Sequence, residues 1–320
     1  MKRRRKKRRS GALPLIAGGL ALAAAMDVAR RVYRYRHLFA PSLEPMKSWD
    51  PEDYGIPREV IEEHWLETPD GELLYAWYAR AERPIASALF CHGNKGNLTV
   101  SADLIPHLLD ASINVLFFDY RGFGRSTGRP SVDGVVADGV TAAQFHNRIR
   151  PKALPSILYG YSLGGAVAAQ VIRRHPFDGL ILQSTFTSLP AVTRALFPHI
   201  PLHLIAGNVF DTLSVVKRLQ VPLLVMHGGA DEVIPPSMAH ELHDACAAKK
   251  LKHIVDGGQH KDLYLRDRES LVETLNRFAT DLPRNTRYPL EKANRRDEWI
   301  DAAFRYLRRT IRRRFVHEPL

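Results

Sequence analysis

Between residues 58 and 282 short apolar runs alternate with amphipathic stretches, and that rhythm admits few folds. The runs are Ile85–Cys91, Ile113–Phe118, Ser156–Tyr161, Gly179–Gln183, Val221–His227 and Lys252–Val255. Each has strand length, and short runs alternating with helical patterns imply a mostly parallel sheet covered on both faces. Between them lie stretches such as Val132–Arg148 and Leu163–Arg174, which carry apolar residues at helical spacing. A hairpin precedes the alternation, because Val60–Thr68 and Glu72–Arg80 flank the turn pair Asp70-Gly71. The pattern predicts an α/β chain with a mostly parallel central sheet and helices on both faces. With 45% apolar residues the chain has ample material for a core. Cys91 and Cys246 are its only cysteines. Both sit in apolar patterns, so they read as small core residues and say nothing about compartment.

Chemistry concentrates at the C-terminal ends of the expected strands. Gly160-Tyr161-Ser162-Leu163-Gly164 is a G-x-S-x-G sequence placed between a strand and an alanine-rich helix. That is the setting of a nucleophile elbow, which presents a serine on a sharp turn. Cys91-His92-Gly93-Asn94 follows an earlier strand, where a backbone N–H can be aimed at a developing oxyanion. Asn94 and Leu163, the residue after the serine, are the expected oxyanion-hole donors. His92 reads as a brace for that loop. Asp231 lies just past the Val221–His227 strand, with Glu232 as its rival, and His260 follows Asp256-Gly-Gly-Gln in a loop after the last strand. The order Ser162, Asp231, His260 is that of one triad lineage and differs from others. This chemistry calls for no cofactor and no metal. His240 and His243 stand three apart but lack a third ligand nearby, and His199 and His203 bracket a proline in a connector.

The segments HGNKGN (92–97), FDYRGFGRSTGRPS (118–131), GYSLGG (160–165), STFTS (184–188) and HGGADEVIP (227–235) resemble the α/β-hydrolase-domain proteins of the bud-emergence type. That branch also contains membrane-associated protein depalmitoylases. The resemblance spans about Tyr35 to Leu282. It implies an α/β-hydrolase fold with a short cap, here Thr185–Leu219, where Phe186, Leu189, Leu196 and Phe197 would line an acyl pocket. It implies the catalytic roles for Ser162, Asp231 and His260, and loop-bracing roles for Asp119 and Arg121. The expected activity is a serine hydrolase cleaving carboxylic esters of acyl or lipid-like substrates through an acyl-enzyme. An acyl-protein or acyl thioesterase and a non-catalytic membrane-associated binding module are the alternatives. Two features depart from the pattern: Lys95, where similar proteins carry a small residue, and a basic C-terminal extension.

The ends of the chain carry most of its charge of +12. Residues 1–36 contribute +11 and residues 284–320 contribute +6, which leaves −5 on the middle. Basic tails on an acidic body favour an anionic membrane surface, and no nucleic-acid partner is expected. The basic start is followed by the uncharged run Ser10–Met26, short for an upright span, then by Arg30, Arg31, Arg34 and Arg36. A retained anchor, a cleaved signal peptide and a soluble basic tail all fit these features. The arginines after the run favour the anchor, and the heavier charge before it favours a hydrolase domain on the non-cytoplasmic side. The expected division is a basic N-terminus and anchor (1–36), a linker (37–57), the hydrolase domain (58–282) and an amphipathic extension (283–320). In that extension Ile300, Phe304, Leu307, Ile311 and Phe315 recur at helical spacing, suited to a lipid surface.

Overall fold

The strand-length runs form one eight-stranded sheet. The computed structural model of the chain describes residues 38–196, 199 and 210–283. The strands are β1 (Ile61–Glu67), β2 (Leu73–Ala79), β3 (Ala86–Cys91), β4 (Ile113–Phe118), β5 (Ser156–Tyr161), β6 (Gly179–Gln183), β7 (Leu223–Gly228) and β8 (Lys250–Val255). Across the sheet they run β8-β7-β6-β5-β3-β4-β2-β1. The hairpin pair β1–β2 and the junction β2–β4 are antiparallel, and every other pairing is parallel.

The central strands β3 to β7 are almost wholly buried because both faces are covered, while the edge strands β1 and β8 carry charged residues such as Glu62, Glu63, Lys250 and Lys252. In β3, Leu89 and Cys91 join one core cluster while Ala88 and Phe90 join the other. That split is the two-residue period of a strand set between two layers. The first cluster packs α2 (Val132–Ile149), α3 (Leu163–Ile172) and α6 (Pro236–Ala245) on one face. The second packs α1 (Ile105–Asp110), α7 (Leu263–Arg266) and α8 (Arg268–Thr280) on the other. Phe90 and Phe117 stack at 4.2 Å between centroids inside the second layer. Ser131 starts α2 by accepting the Gly134 N–H at 3.0 Å, an ordinary serine cap.

Residues 37–57, expected to be a linker, belong to the folded body from Leu38 onward. Phe39, Tyr54 and Ile56 are buried in the two cores, and Pro51–Tyr54 forms a 3-10 turn capped by Asp50. Phe39 at one end and Tyr54 and Ile56 at the other anchor this stretch, and its Pro-rich, acidic composition hides them from a periodicity argument. Ala40–Pro41 pairs in parallel with Lys95–Gly96 as a separate two-stranded ribbon.

The expected cap falls between β6 and β7, where α4 (Leu189–Leu196) and α5 (Thr212–Val216) are described. Phe186 and Leu189 are buried and Leu196 is exposed; Phe197 and His203 lie outside the described residues. The expected anchor and the C-terminal extension after Pro283 also lie outside them. Among the described residues no helix is long and apolar enough to cross a membrane.

Candidate active site

Ser162 ends β5 and begins α3 with φ 54 and ψ −120, a left-handed conformation costly for a residue with a Cβ. The elbow is held from below. The Ser162 N–H donates to the Gln183 carbonyl at 2.9 Å, and the Thr185 hydroxyl donates to the Ser162 carbonyl at 2.6 Å. Serine is a favoured helix cap, yet this one makes no cap hydrogen bond. Its Oγ instead stands 3.0 Å from His260 Nε2. The turn is possible because residue 164 is glycine: a Cβ there would overlap the Cys91 carbonyl.

His260 lies on the loop after β8 and is nearly buried. Its Nδ1 stands 2.8 Å from Asp231 Oδ2. A nitrogen facing a carboxylate carries the proton, so in the neutral ring Nε2 is left to accept from Ser162 Oγ. Asp231 is buried, and its Oδ1 accepts the N–H groups of Val233 at 2.8 Å and Ile234 at 2.9 Å. Burial alone would push its carboxyl up. Hydrogen bonds from His227 and His260 and from the Ile234 backbone outweigh that, and hold it below the ordinary carboxylate range. Glu232 points to solvent. The acid and histidine loops are stitched together by Ala230 N–H to Gly258 O at 2.9 Å and Gly229 N–H to Val255 O at 2.8 Å.

His227 is a partner that sequence reasoning passed over. Its Nε2 is 2.9 Å from the Ile234 carbonyl and 3.2 Å from Asp231 Oδ2, and both are acceptors, so that nitrogen carries the hydrogen. Its signal was spacing, four residues before Asp231 at the end of a buried strand. Tyr161 was also missed: its hydroxyl donates to the His260 carbonyl at 3.2 Å.

The 92–97 loop lies against the nucleophile, since a Cβ on Gly93 would stand 3.6 Å from Ser162 Cβ. Leu163 is the first residue of α3, so its N–H has no intrahelical acceptor and sits at the positive end of the helix. His92 is buried and donates from Nδ1 to the Gly93 carbonyl at 2.8 Å, while the Tyr120 hydroxyl donates to the His92 carbonyl at 3.2 Å. It therefore braces the loop. Lys95 is exposed on that loop. Asp119 accepts the Leu98 N–H at 2.5 Å, and Arg121 pairs with Asp138 and Asp70. His240 meets Lys252 Nζ at 2.9 Å and His243 meets Asp244 at 2.8 Å. Among the described residues no third ligand joins them.

An eight-stranded sheet of this order, with a serine at the turn between β5 and its following helix, defines the class: an α/β hydrolase. The comparisons agree. The serine aminopeptidase, S33, family (Hydrolase_4) matches residues 82–217. An uncharacterized protein of Mycobacterium tuberculosis is 30% identical over 283 residues, covering 86% of this chain and 97% of that protein. Protein bem46 of Schizosaccharomyces pombe is 29% identical over 275 residues, covering 78% and 88% respectively. An esterase of Pyrococcus furiosus superposes with a TM-score of 0.62 at 17% identity, covering 77% of this chain and 98% of the esterase. The chain belongs to the α/β-hydrolase family, among relatives that include bem46, and it is a hydrolase.

Proposed function

We propose that this hydrolase cleaves carboxylic esters of acyl or lipid-like substrates by two-step acyl transfer. The observation that carries the proposal is the unbroken line from Asp231 Oδ2 to His260 Nδ1 at 2.8 Å and from His260 Nε2 to Ser162 Oγ at 3.0 Å. Ser162 Oγ bonds to the ester carbonyl carbon as its proton passes to His260 Nε2. The carbonyl oxygen becomes an oxyanion held by the Asn94 and Leu163 N–H groups. The C–O bond to the alcohol breaks and His260 returns the proton to that oxygen. Water, deprotonated by the same nitrogen, then attacks the acyl carbon. The bond from that carbon to Ser162 Oγ breaks as His260 returns the proton to Oγ, and the acid is released. Asp231 keeps His260 in the required tautomer and stabilises its cation.

A fluorophosphonate probe and a panel of p-nitrophenyl esters and acyl thioesters test this reading. Ser162→Ala is expected to lose probe labelling and to cut kcat by about 10⁴- to 10⁶-fold with the fold intact. Labelling that survives the substitution overturns the nucleophile assignment. Faster turnover of thioesters than of matched esters moves the substrate class to acyl thioesters, and a chain that neither labels nor turns over is a binding module.

We further propose that residues 1–36 anchor the protein in a membrane with the hydrolase domain on the non-cytoplasmic side. Supporting this are eight Lys and Arg before the uncharged run Ser10–Met26 and four arginines after it.

A further inference from the structure

The segment Leu38–Met46 precedes the hydrolase strands, and all but one of its hydrogen bonds to the rest of the fold go to the loop at residues 94–99. Ala40 N–H donates to the Asn94 carbonyl at 2.9 Å and Ser42 N–H to the Gly96 carbonyl at 2.8 Å. Asn97 Nδ2 donates back to the carbonyls of Ser42 at 3.1 Å and Glu44 at 2.8 Å. Met46 N–H donates to Thr99 Oγ1 at 2.9 Å, and Gly124 N–H donates to the Ser42 carbonyl at 2.9 Å. Yet the segment buries little: Ala40, Pro41, Leu43, Glu44 and Met46 are exposed, and Phe39 is its one buried apolar anchor. A stretch with so little buried area contributes little to the core. Its hydrogen bonds fix the geometry of the loop at residues 94–99.

Asn94 shows what that geometry controls. Its N–H belongs to the Gly93–Asn94 peptide plane, whose carbonyl is held by His92 Nδ1 at 2.8 Å. Burial lowers the His92 pKa to about 4, so the ring is neutral, and its single hydrogen sits on Nδ1 because that nitrogen faces a carbonyl. The next peptide plane, Asn94–Lys95, is held by Ala40. With both planes fixed, the backbone angles at Asn94 are fixed, and so is the direction of its N–H. Asn97 clamps the strap with Nδ2 while Oδ1 caps the following turn through Thr99 N–H at 3.1 Å.

We infer that Leu38–Met46 is a positioning strap for the oxyanion loop, and that Ala40, Ser42 and Asn97 hold the Asn94 N–H in its catalytic direction. The inference rests on the serine-hydrolase reading above. It follows that whatever displaces the chain just before Ala40 acts on turnover as well as on location.

The test uses the full chain with single substitutions. Ala40→Pro removes the N–H that reaches Asn94, and Ala40→Gly keeps it. Asn97→Asp keeps the acceptor that caps the turn and removes the NH₂ that clamps the strap. A misplaced oxyanion donor costs less than a deleted one, so kcat on p-nitrophenyl butyrate and the rate of fluorophosphonate labelling are expected to fall about 10- to 100-fold in Ala40→Pro and Asn97→Asp. KM stays within about threefold, affinity for a trifluoromethyl ketone falls in step with kcat/KM, and Ala40→Gly retains wild-type rates. Thermal unfolding reports whether each variant is folded. Folded Ala40→Pro and Asn97→Asp chains that label at the wild-type rate overturn the strap and leave the nucleophile assignment standing. A wild-type chain that does not label overturns both.

Discussion

Asp119 is a carboxyl without exposed surface, 3.6 Å from the buried Nε2 of His92 and bonded to the Leu98 N–H. Burial pushes it up to about 8, against the Leu98 and Arg125 N–H groups that favour the anion. The folded chain thus holds a proton here that the unfolded chain releases near 3.8. The stability this proton confers is complete below that value and is lost as pH rises toward about 8. His92 works in the opposite sense: burial lowers it from 6.5 to about 4, so its stabilisation is lost as pH falls through that interval. Between pH 6.5 and 8 only the Asp119 slope of this pair remains, at most about 1.4 kcal/mol per pH unit. Asp119→Asn is expected to flatten it, as measured by urea unfolding across that range; an unchanged slope would show that Asp119 does not titrate there. Sequence order and loop placement made Ser162, Asp231 and His260 legible, since each sits just past a strand end. The His92–Asp119 contact and the His227 buttress were not legible as contacts. Both depend on which buried polar atoms meet across loops far apart in the chain, and no periodicity records that.

Arg121 ties three elements together. It follows β4, its guanidinium bonds Asp138 of α2 at 2.7 and 2.9 Å, and it reaches Asp70 in the β1–β2 turn at 2.8 Å. Its guanidinium pulls the Asp70 carboxyl down to about 2. Burial lifts Asp138 to about 6 although Arg121 opposes that rise. Arg121→Ala leaves a fully buried carboxylate unpaired and is expected to cost about 3–5 kcal/mol in chemical denaturation. Arg121→Lys recovers only part, because an ammonium cannot grip two carboxylates bidentately. A loss below 1 kcal/mol in the alanine variant would mean that Asp138 simply takes up a proton. At this scale the sequence was informative wherever an element buried a periodic face. The strands Ile113–Phe118, Ser156–Tyr161 and Gly179–Gln183 fall where expected, and β3, β7 and β8 start or end within two residues of expectation. The 37–57 stretch was misjudged because its order comes from isolated anchors and from backbone bonds to a distant loop.

Charge is divided by position along the whole molecule, with net −5 between residues 37 and 283 and basic ends on both sides. If residues 1–36 form an anchor with the cytoplasm on their N-terminal side, a C-terminal reporter enzyme active only in the cytoplasm will be silent. Strong reporter activity reverses that orientation. If residues 284–320 lie on anionic lipid, a chain lacking 1–36 will bind phosphatidylserine vesicles in low salt and lose that binding when 284–320 are also removed. Binding indifferent to that deletion assigns the extension to the protein surface. The glycines of the site set a different kind of limit. A Cβ at 164 would overlap the carbonyl of Cys91, and one at 228 would overlap the backbone of Gly258 and Gln259. At those two points the elbow meets the end of β3, and the acid loop meets the histidine loop, main chain to main chain. A side chain larger than hydrogen is therefore excluded at residues 164 and 228. Laboratory selection for altered activity should leave Gly164 and Gly228 unchanged, because any substitution there drives a side chain into a neighbouring backbone.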